Sequence, residues 1–396
     1  MKQGWTYKKL GEVTTTINGL WTGKKPPFIN VAVIRNTNFT KDCKLDMTNI
    51  AYLDVEQKQY NSRKLLPGDI IIEKSGGSDK QPVGRPVLFD ISEGEYSFSN
   101  FTSTLRINNA DEIIPQFLHC ALYSAYLRGE TFKLQSKTTG IHNLDFKGYN
   151  RLPIPIPSLS EQQSIVAELD KINELISLKK AQLSDLDRLT QSIFYDMFGD
   201  PVENEKGWEV KTFGELGTIE RGAGISKKDF VDEGLPCIHY GQLHTILGPT
   251  TKHHYASIPK SLLPKYKIAH TGDLIMAITS EDVEGSCKST AWLGDYDIVI
   301  GSDAAILHHE QNGTFLSYYT MTKAFFNEKA KYAKGFKVTH ISTKEIESIP
   351  VYLPPLSLQQ EFANRIEAIE QQKQYINSTI NELETLLASR MQYWFD

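Results

Sequence analysis

Two stretches of the chain place apolar residues at alternating steps of three and four. These positions are Ile165, Leu169, Ile172, Ile176, Leu183, Leu186, Ile193 and Met197 in the first stretch, and Phe362, Ile366, Ile369, Ile376, Ile380, Leu383, Leu387 and Trp394 in the second. A heptad spacing held over this length is typical of a coiled-coil seam rather than of the broader face of a packed globular helix. We therefore predict two long helices, each of about 37 residues and roughly 55 Å.

The two predicted helices share one register and one kind of start. We call each series of heptad positions a stripe. Two positions in each stripe are occupied by polar residues, Lys179 and Thr190 in the first helix and Lys373 and Arg390 in the second. With these included, every position of the first stripe corresponds to one of the second at an offset of 197 residues. A Ser-x-x-Gln pattern precedes each apolar run and predicts a capping box. These boxes are Ser160 with Gln163 and Ser357 with Gln360.

The rest of the chain also contains an internal repeat. Three short motifs recur in the same order: residues 5–13 and 208–216, residues 67–71 and 271–275, and residues 152–163 and 349–360. A period near 200 residues is far longer than a solenoid repeat, so the repetition indicates a duplicated domain pair. Between the motifs the two copies hardly resemble each other.

These patterns predict an α+β protein with four segments. The segments are a first globular domain (1–159), a first long helix (160–200), a second globular domain (201–356) and a second long helix (357–396). Because a whole domain connects the two helices, they can lie antiparallel as a coiled coil. The two mixed α/β domains would then be related by a pseudo-two-fold axis.

Composition narrows the class of protein. Hydrophobic residues make up 40% and charged residues 23% of the 396 residues, which excludes a disordered tail or a fibrous repeat. The four cysteines are far apart and form neither a zinc motif nor a disulfide framework. With no signal-peptide pattern and no membrane-length apolar run, we expect a cytoplasmic protein.

The net charge of −5 does not by itself exclude a nucleic-acid partner. Residues 1–159 carry 20 Lys and Arg against 15 Asp and Glu, whereas the two helical segments are acidic. Eight of the ten histidines lie in residues 201–396, which can add positive charge at mildly acidic pH.

Catalytic motifs are missing from the sequence. The tetrapeptide Lys25-Pro-Pro-Phe28 has lysine where an adenine methyltransferase needs Asn or Asp, and no dinucleotide fingerprint or phosphate-binding loop occurs. Asp69, Glu73 and Lys74 are the nearest approach to a nuclease cluster. Adjacent Glu73 and Lys74 would point to opposite faces of a strand, so a turn feeding a buried strand is favoured. We predict no metal site and no cofactor in this chain.

Polar and basic loops with aromatic neighbours are candidates for DNA contacts. Lysines and backbone amides suit phosphates, whereas Arg, Asn and Gln suit base edges. The predicted contacts are Lys24, Lys25, Arg35, Asn36, Lys74, Ser75, Lys80, Arg85, Lys137, Thr138 and His142 in the first copy, and Arg221, Lys227, Lys228, His239, Tyr240, Lys288, Lys334, Lys337 and His340 in the second.

The pattern resembles the specificity (S) subunit of type I restriction-modification systems. The resemblance is carried by the Trp-x-x-x-x-Leu/Phe-Gly-Glu opening, the Gly-Asp-Ile/Leu turn and the Pro-rich lead into a long helix through Gln-Gln, each present twice. It implies two target recognition domains that read a split, asymmetric DNA site, and paired helices that dock two modification (methyltransferase) subunits. It also implies that S-adenosylmethionine, and ATP with Mg²⁺ where a restriction subunit joins, are bound by partner subunits.

The geometry of the predicted rod fits such a site. Two domains joined by helices of roughly 55 Å can reach positions in the DNA major groove about one helical turn, ~34 Å, apart. Two other classes of protein stay open. One is a helical scaffold with two protein-binding domains and no DNA specificity, and the other is a stand-alone nuclease or methyltransferase with an unfamiliar site.

Overall fold

The computed structural model describes residues 4–21, 23, 25–78, 81–138, 141–261, 266–333 and 338–396, with Lys137 and Thr138 described by their backbone only. Contacts divide the chain into two units. Unit 1 comprises residues 1–180 and 378–396, and unit 2 comprises residues 181–377. Each unit mixes strands with helices.

The secondary structure of unit 1 starts with a short strand and ends in a long helix. Its strands are β1 (Thr6–Lys9), β2 (Thr14–Asn18), β3 (Phe28–Ile34), β4 (Ala51–Glu56), β5 (Asp69–Glu73), β6 (Ser75–Gly77), β7 (Pro86–Phe89), β8 (Tyr96–Phe98), β9 (Thr102–Ile107), β10 (Gln135–Thr138), β11 (Ile141–Leu144) and β12 (Pro153–Ile156). Its helices are α1 (Leu10–Val13), α2 (Gln57–Arg63), α3 (Pro115–Leu127), α4 (Phe146–Tyr149) and the first part of α5 (Leu159–Phe198).

Unit 2 likewise starts with a short strand and ends in a long helix. Its strands are β13 (Glu209–Thr212), β14 (Gly217–Arg221), β15 (Leu235–Ile238), β16 (Thr250–Thr251), β17 (Ala256–Ile258), β18 (Lys267–Ala269), β19 (Leu274–Ala277), β20 (Thr279–Ser280), β21 (Ser289–Trp292), β22 (Ile298–Ile300), β23 (Ala304–His309), β24 (Thr339–His340) and β25 (Pro350–Leu353). Its helices are α6 (Phe213–Leu216), α7 (Tyr240–Thr245), α8 (Gly313–Tyr319), α9 (Lys323–Ala330), α10 (Thr343–Glu347) and α11 (Leu356–Phe395), whose last residues belong to unit 1.

The motifs that frame each sequence copy meet in space. In unit 1 the opening strand β1 pairs antiparallel with the Pro-rich strand β12, and in unit 2 β13 pairs in the same way with β25. The Trp5 indole then donates to Glu161 Oε1 at 3.0 Å, at the start of α5. Each pair therefore fixes the point at which the long helix leaves its domain.

The central sheets of the two units share one strand order. It is β2-β9-β5-β7 in unit 1 and β14-β23-β19-β21-β16 in unit 2. The register is shared as well, since Ile70 pairs with Leu105 and Leu274 pairs with Leu307. The duplication seen in the sequence is therefore a duplication of topology.

The recurring Gly-Asp motif is the turn that starts the central strand. Gly68 and Gly272 have φ angles of +92° and +99°, a conformation that a side chain would strain. The following aspartate closes the turn: Asp69 Oδ2 accepts from the Leu66 amide at 2.8 Å, and Asp273 Oδ2 accepts from the His270 amide at 2.7 Å.

Both long helices are part of the hydrophobic cores. In unit 1 the core contains Ile165 and Leu169 of α5 together with Met391 of α11. In unit 2 it contains Phe194 of α5, whose ring centroid lies 5.5 Å from that of Phe362 of α11. Each helix thus stabilises a domain in addition to extending from it.

Burial along the helices follows the predicted stripe. The buried stripe residues are Ile165, Leu169, Ile172, Ile176, Met197, Phe362, Ile366, Ile369, Ile376 and Ile380, and the half-buried ones are Leu183, Leu186, Ile193, Leu383, Leu387 and Trp394. Neighbouring leucines off the stripe, such as Leu178 and Leu189, are exposed. The helices contain 40 residues each and begin one residue before the predicted spans.

The predicted capping boxes are wrong. Because α5 begins at Leu159 and α11 at Leu356, Ser160 and Ser357 lie inside the first turn rather than before it. The amide of Glu161 instead lies 3.3 Å from the Ser158 hydroxyl. No helix in the described part of the chain is long and apolar enough to cross a membrane.

Candidate nucleic-acid interface

Three segments that carry predicted DNA contacts come together in unit 1. Asn36 follows β3, Lys74 and Ser75 follow β5, and His142 lies on β11, which pairs with β6. His142 is only 6% exposed, and its Nδ1 lies 3.2 Å from Gln135 Oε1, so its ring packs inside the cluster rather than on its surface. The Asn36 amide group donates to Ser75 O at 3.3 Å, and the Ser75 hydroxyl donates to Asn143 Oδ1 at 2.6 Å. The three segments therefore form one polar loop cluster.

The same three segments meet in unit 2 with different side chains. His239 and Tyr240 follow β15, Thr279 lies on β20, and His340 lies on β24. His244 Nε2 lies 3.0 Å from Thr279 O, and Thr279 Oγ1 lies 3.2 Å from His340 Nδ1. We call these equivalent clusters, of residues 35–38, 74–78 and 141–144 in unit 1 and residues 239–245, 279–288 and 338–340 in unit 2, the recognition clusters.

A local turn shows that the two clusters are equivalent. The Arg35 amide donates to Asn38 Oδ1 at 3.0 Å, and the His239 amide donates to Gln242 Oε1 at 2.9 Å. In both units the turn directly follows a strand that pairs in parallel with a neighbour, β3 with β8 and β15 with β22. The fold thus presents Arg35 and His239 at corresponding positions.

The recognition cluster of unit 2 borders a groove of about 1500 Å³. Its lining includes Lys227, His239, Tyr240, Thr279 and Lys288. The groove exceeds the ~300–1,000 Å³ of ordinary small-ligand pockets. Polar, aromatic and cationic side chains in a groove suit a nucleic-acid surface, and here they share the groove with the acidic side chains of Glu281, Asp282 and Glu284.

The protonation state of His239 follows from its surroundings. Burial, and secondarily the nearby Lys227 ammonium, lowers the pKa of His239, so the neutral ring is favoured at neutral pH. Its Nδ1 accepts from the Gly241 amide at 3.1 Å. The remaining proton is therefore on Nε2, which can donate a hydrogen bond. The ring is only 7% exposed, but unlike Arg85 it lines the groove. Burial also lowers the pKa of Lys74 in the cluster of unit 1.

Arg85 occupies a different place from the DNA-facing one that we predicted. It is only 5% exposed, and its Nε and Nη2 donate to the Glu73 carboxylate at 2.7 and 3.1 Å. A further bond runs from Nη1 to Phe39 O at 2.9 Å. The buried carboxylate of Glu73 lies on the neighbouring strand and attracts this guanidinium into the domain. Arg85 therefore supports the cluster from its buried side.

Lys288 is the counterpart of Arg85 in unit 2. The ladder bonds from Glu73 N to Arg85 O and from Ala277 N to Lys288 O establish the equivalence. With Ala277 in place of a glutamate, the Lys288 side chain is exposed and donates to His244 O at 3.2 Å.

The carboxylates of the nuclease-like cluster are engaged in ion pairs. Asp69 accepts two bonds from Arg106, at 2.8 and 2.7 Å, while Glu73 pairs with Arg85. Both carboxylates thus have a structural explanation. Within the described residues, His, Cys, Asp and Glu side chains form no group of three able to hold a metal ion. The absence of a metal from this protein stays a prediction.

Other predicted contacts lie away from the clusters or outside the described residues. The Lys25 amide donates to Glu56 Oε1 at 2.6 Å ahead of β3, at the opposite end of that strand from Arg35. Arg221, by contrast, adjoins the unit 2 cluster, because the Asp303 Oδ1 that it contacts at 3.2 Å also accepts from Thr279 Oγ1 at 3.3 Å. Lys228 lies on the 3-10 helix Lys227–Asp229. Lys24, Lys80, Lys334 and Lys337 lie outside the described residues, and nothing is described of the Lys137 and Thr138 side chains.

Sequence reasoning missed three structurally important residues. Gln162 and Gln359, the first glutamines of each Gln-Gln pair, are fully buried, and Lys329 is buried beneath a loop of the unit 2 cluster. The recurrence of Gln-Gln was a signal for the glutamines, but it was interpreted as a cap. Lys329 carried no such signal, since a single lysine on a short helix is normally exposed.

Comparison with known proteins agrees with this architecture. The chain matches the family described as "Type I restriction modification DNA specificity domain" over residues 2–188 and again over residues 205–385. The specificity subunit of the type I restriction enzyme EcoKI from Escherichia coli K12 is 25% identical over 96% of this chain and 85% of its own length. The StySPI specificity subunit of Salmonella potsdam is 24% identical over 99% of this chain and 88% of its own length.

A third relative is matched over less of its length. The MjaVIII specificity subunit of Methanocaldococcus jannaschii is 25% identical over 63% of this chain, and the match spans 62% of that subunit. Among solved structures, the S subunit of the type I restriction-modification system of M. genitalium has a TM-score of 0.55 at 14% identity, covering 100% of this chain and 98% of that one. A chain from a structure of type I R-M complex assembly and conformational transition also has a TM-score of 0.55, at 20% identity, with the same coverage.

Proposed function

The chain belongs to the type I restriction-modification DNA specificity family, and from that premise we propose that it selects the DNA sequence on which a type I complex acts. Unit 1 and unit 2 each read one block of a split site. The observation that carries this proposal is the pair of recognition clusters, since one framework presents different side chains at equivalent positions.

The contrast between the clusters supports an asymmetric target. Arg35 and Asn36 stand in unit 1 where His239 and Tyr240 stand in unit 2. Arg and Asn are suited to bidentate contacts with guanine and adenine, whereas the neutral His239 ring offers a single donor. Different donor sets read different bases, so the two blocks should differ in sequence.

The long helices are proposed to pair as an antiparallel coiled coil that fixes the spacing of the blocks. In unit 1, Glu168 of α5 accepts from Arg390 of α11, and Lys180 pairs with Glu384 at 2.9 Å. In unit 2, Lys373 of α11 pairs with Asp187 of α5 at 2.7 Å. Charged pairs along the edges of an apolar seam influence the pairing and orientation of two helices, which supports a rod of defined length. The pseudo-two-fold arrangement of the domains stays a prediction.

The partners proposed for this chain are double-stranded DNA and two modification subunits docked on the helices, with restriction subunits in a complete complex. Chemistry would then be performed by partners that bind S-adenosylmethionine, and ATP with Mg²⁺ for restriction. This division of labour is supported by the structural use of Asp69 and Glu73 in ion pairs. In this proposal the chain itself has no catalytic residue.

The proposed DNA recognition is tested with the complex of this chain and its modification subunits. The affinity for DNA that contains the sequence methylated by the complex should exceed the affinity for scrambled DNA by on the order of 10³-fold or more. Affinity should also fall steeply as salt rises, because counterions are released from phosphates. Equal affinity for both DNAs would contradict sequence selection, and no DNA binding by the complex would favour the scaffold alternative.

A further inference from the structure

The loop between β20 and β21 forms one wall of the groove in unit 2. Glu281, Asp282 and Glu284 of this loop line the groove. The ends of the loop are fixed by backbone pairing: Ser280 pairs with Thr339 on β24, and the Cys287 amide donates to Ala277 O at 2.8 Å. Its middle forms a local turn, in which the Gly285 amide donates to Asp282 Oδ1 and the Ser286 hydroxyl donates to Val283 O, both at 2.7 Å. A side chain from the helical layer adds contacts from outside the loop.

Lys329 of α9 supports the middle of the loop from beneath. Its ammonium donates to Glu284 O at 2.8 Å and to Ser286 O at 2.5 Å, and the side chain is only 4% exposed. The Phe326 ring lies under the ammonium, with its centroid 5.5 Å from Nζ. Burial lowers the pKa of Lys329, so this position has an energetic cost that the two carbonyl bonds offset.

The same task in unit 1 is performed by an uncharged group. The Tyr126 hydroxyl of α3 donates to Pro82 O at 3.2 Å, in the loop that follows β6. In both units, therefore, a side chain from the helical layer supports the loop after the central strand. Lys329 contributes two charged bonds in unit 2, whereas Tyr126 contributes one neutral bond in unit 1, where the Val83 amide also donates to Gln135 Oε1 at 3.2 Å.

We propose that Lys329 is a positioning residue that sets the base specificity of unit 2 alone, an inference that rests on the proposed function. Hydrogen bonds to base edges depend on the direction of donor and acceptor, whereas phosphate contacts tolerate displacement. Without the hydrogen bonds from Lys329, the loop would still carry the same side chains, but it would lose the fixed geometry that rejects a wrong base. Discrimination in one block should fall while the other block is still read.

The test uses cells that express this chain together with its modification partners. Methylation is measured by sequencing at matched sites and at sites with one base changed, separately for each block. For Lys329→Met we expect the ratio of matched to mismatched methylation to fall about tenfold in one block, equivalent to ~1.4 kcal/mol. The other block should keep its ratio. Tyr126→Phe is the matched variant in unit 1, and it should lower the ratio of matched to mismatched methylation a few fold in the other block.

Each outcome of this experiment decides the proposal. If the native chain directs no split methylation motif, the proposed function fails and the inference falls with it. If the native motif is split but Lys329→Met relaxes both blocks, relaxes neither, or lowers methylation equally at all sites, the positioning role is overturned. If that variant abolishes all methylation, Lys329→Gln decides, because it keeps two N–H donors. Relaxation of one block then supports the proposal, and complete loss or full discrimination contradicts it.

Discussion

Gln162 and Gln359 occupy equivalent positions in the two units and share two hydrogen bonds. A third bond differs, since Gln162 Nε2 donates to Glu112 O at 2.8 Å and Gln359 Nε2 donates to Gln311 Oε1 at 3.0 Å. Each side-chain oxygen accepts from a backbone amide at the start of a domain helix, Ile114 N at 2.9 Å and Asn312 N at 3.0 Å. Each side-chain nitrogen donates at 2.8–2.9 Å to a proline carbonyl five residues earlier in the chain. The long helix and the domain body are therefore joined in each unit by one buried amide.

We expect loss of this amide to destabilise the unit that contains it. Gln162→Leu leaves Ile114 N and two carbonyls without their partner, and an unsatisfied buried polar group costs about 1–3 kcal/mol. Urea denaturation of the purified chain should show a loss of roughly 2 kcal/mol. The neighbouring Gln163 is exposed, so Gln163→Leu is the matched control. Equal destabilisation by both variants would refute the tethering role.

The buried pair of Glu73 and Arg85 predicts a rescue by a second substitution. Glu73→Ala leaves the guanidinium buried without its counterion, which should cost about 3–5 kcal/mol. Unit 2 has Ala277 and Lys288 at these positions, and its lysine is exposed. The double variant Glu73→Ala with Arg85→Lys should therefore recover a large part of the lost stability.

This prediction is checked by comparing denaturation midpoints of the native chain with those of the two variants. It also separates a structural carboxylate from a catalytic one. If methylation by the complex recovers together with stability in the double variant, Glu73 acts structurally. A stable double variant that has lost all activity would contradict that conclusion.

The helix seam predicts a loss of methylation without loss of domain folding. Ile172→Asp and Ile369→Asp together place two unpaired carboxylates at buried stripe positions, at a cost of about 3 kcal/mol or more. Methylation by the complex should be abolished while circular dichroism still reports folded domains. Ile369 also belongs to the core of unit 2, so urea denaturation of the same variant measures how much stability that unit loses. The exposed neighbours Ser177 and Asn377 provide a control, in which the same two changes to Asp leave methylation intact. Normal methylation in the seam variant would contradict a spacing role.

Stability is predicted to fall at mildly acidic pH. Burial lowers the pKa of His119 and of His309, so both rings fold in the neutral state. A histidine with a lowered folded pKa contributes stability above its unfolded pKa of about 6.5, and this contribution is lost as pH falls through the folded value. His270 acts in the opposite direction, because its hydrogen bond to Asp297 raises its pKa. That pair is exposed and screened by solvent, so its contribution to stability is small.

The histidine effect is measured as the slope of unfolding free energy between pH 7.5 and 5.5. His119→Gln should reduce this slope, because Gln replaces a group that takes up a proton only on unfolding. His253→Gln, at an exposed position, is the comparison. An unchanged slope for His119→Gln would show that another group causes the pH dependence.

Two of the repeated patterns in the sequence were informative. The heptad stripe predicted the buried face of both helices, and the Gly-Asp motif predicted the turn before β5 and β19. Periodicity reports burial directly, because every third or fourth residue of a helix lies on one face. The Gln-Gln pair was noticed but misinterpreted, since local spacing does not show that Gln162 contacts a helix 48 residues earlier in the chain.

Side-chain direction within loops could not be predicted. Arg85 was grouped with exposed cations because its charge was visible and its partner Glu73, on another strand, was not assigned to it. Lys329 was overlooked for the converse reason, since a lysine on a short helix is normally solvated. In both cases the decisive contact is formed across the fold, at carbonyl or carboxylate groups that no local motif identifies.

Sequencing of N6-methyladenine in host DNA, with and without this gene, tests the central claim most directly. We predict that deletion removes methylation from one motif made of two different specified blocks separated by unspecified base pairs. The blocks should differ because the two recognition clusters present different side chains. Loss of a continuous or palindromic motif, or unchanged methylation while the partner subunits are expressed, would contradict the account.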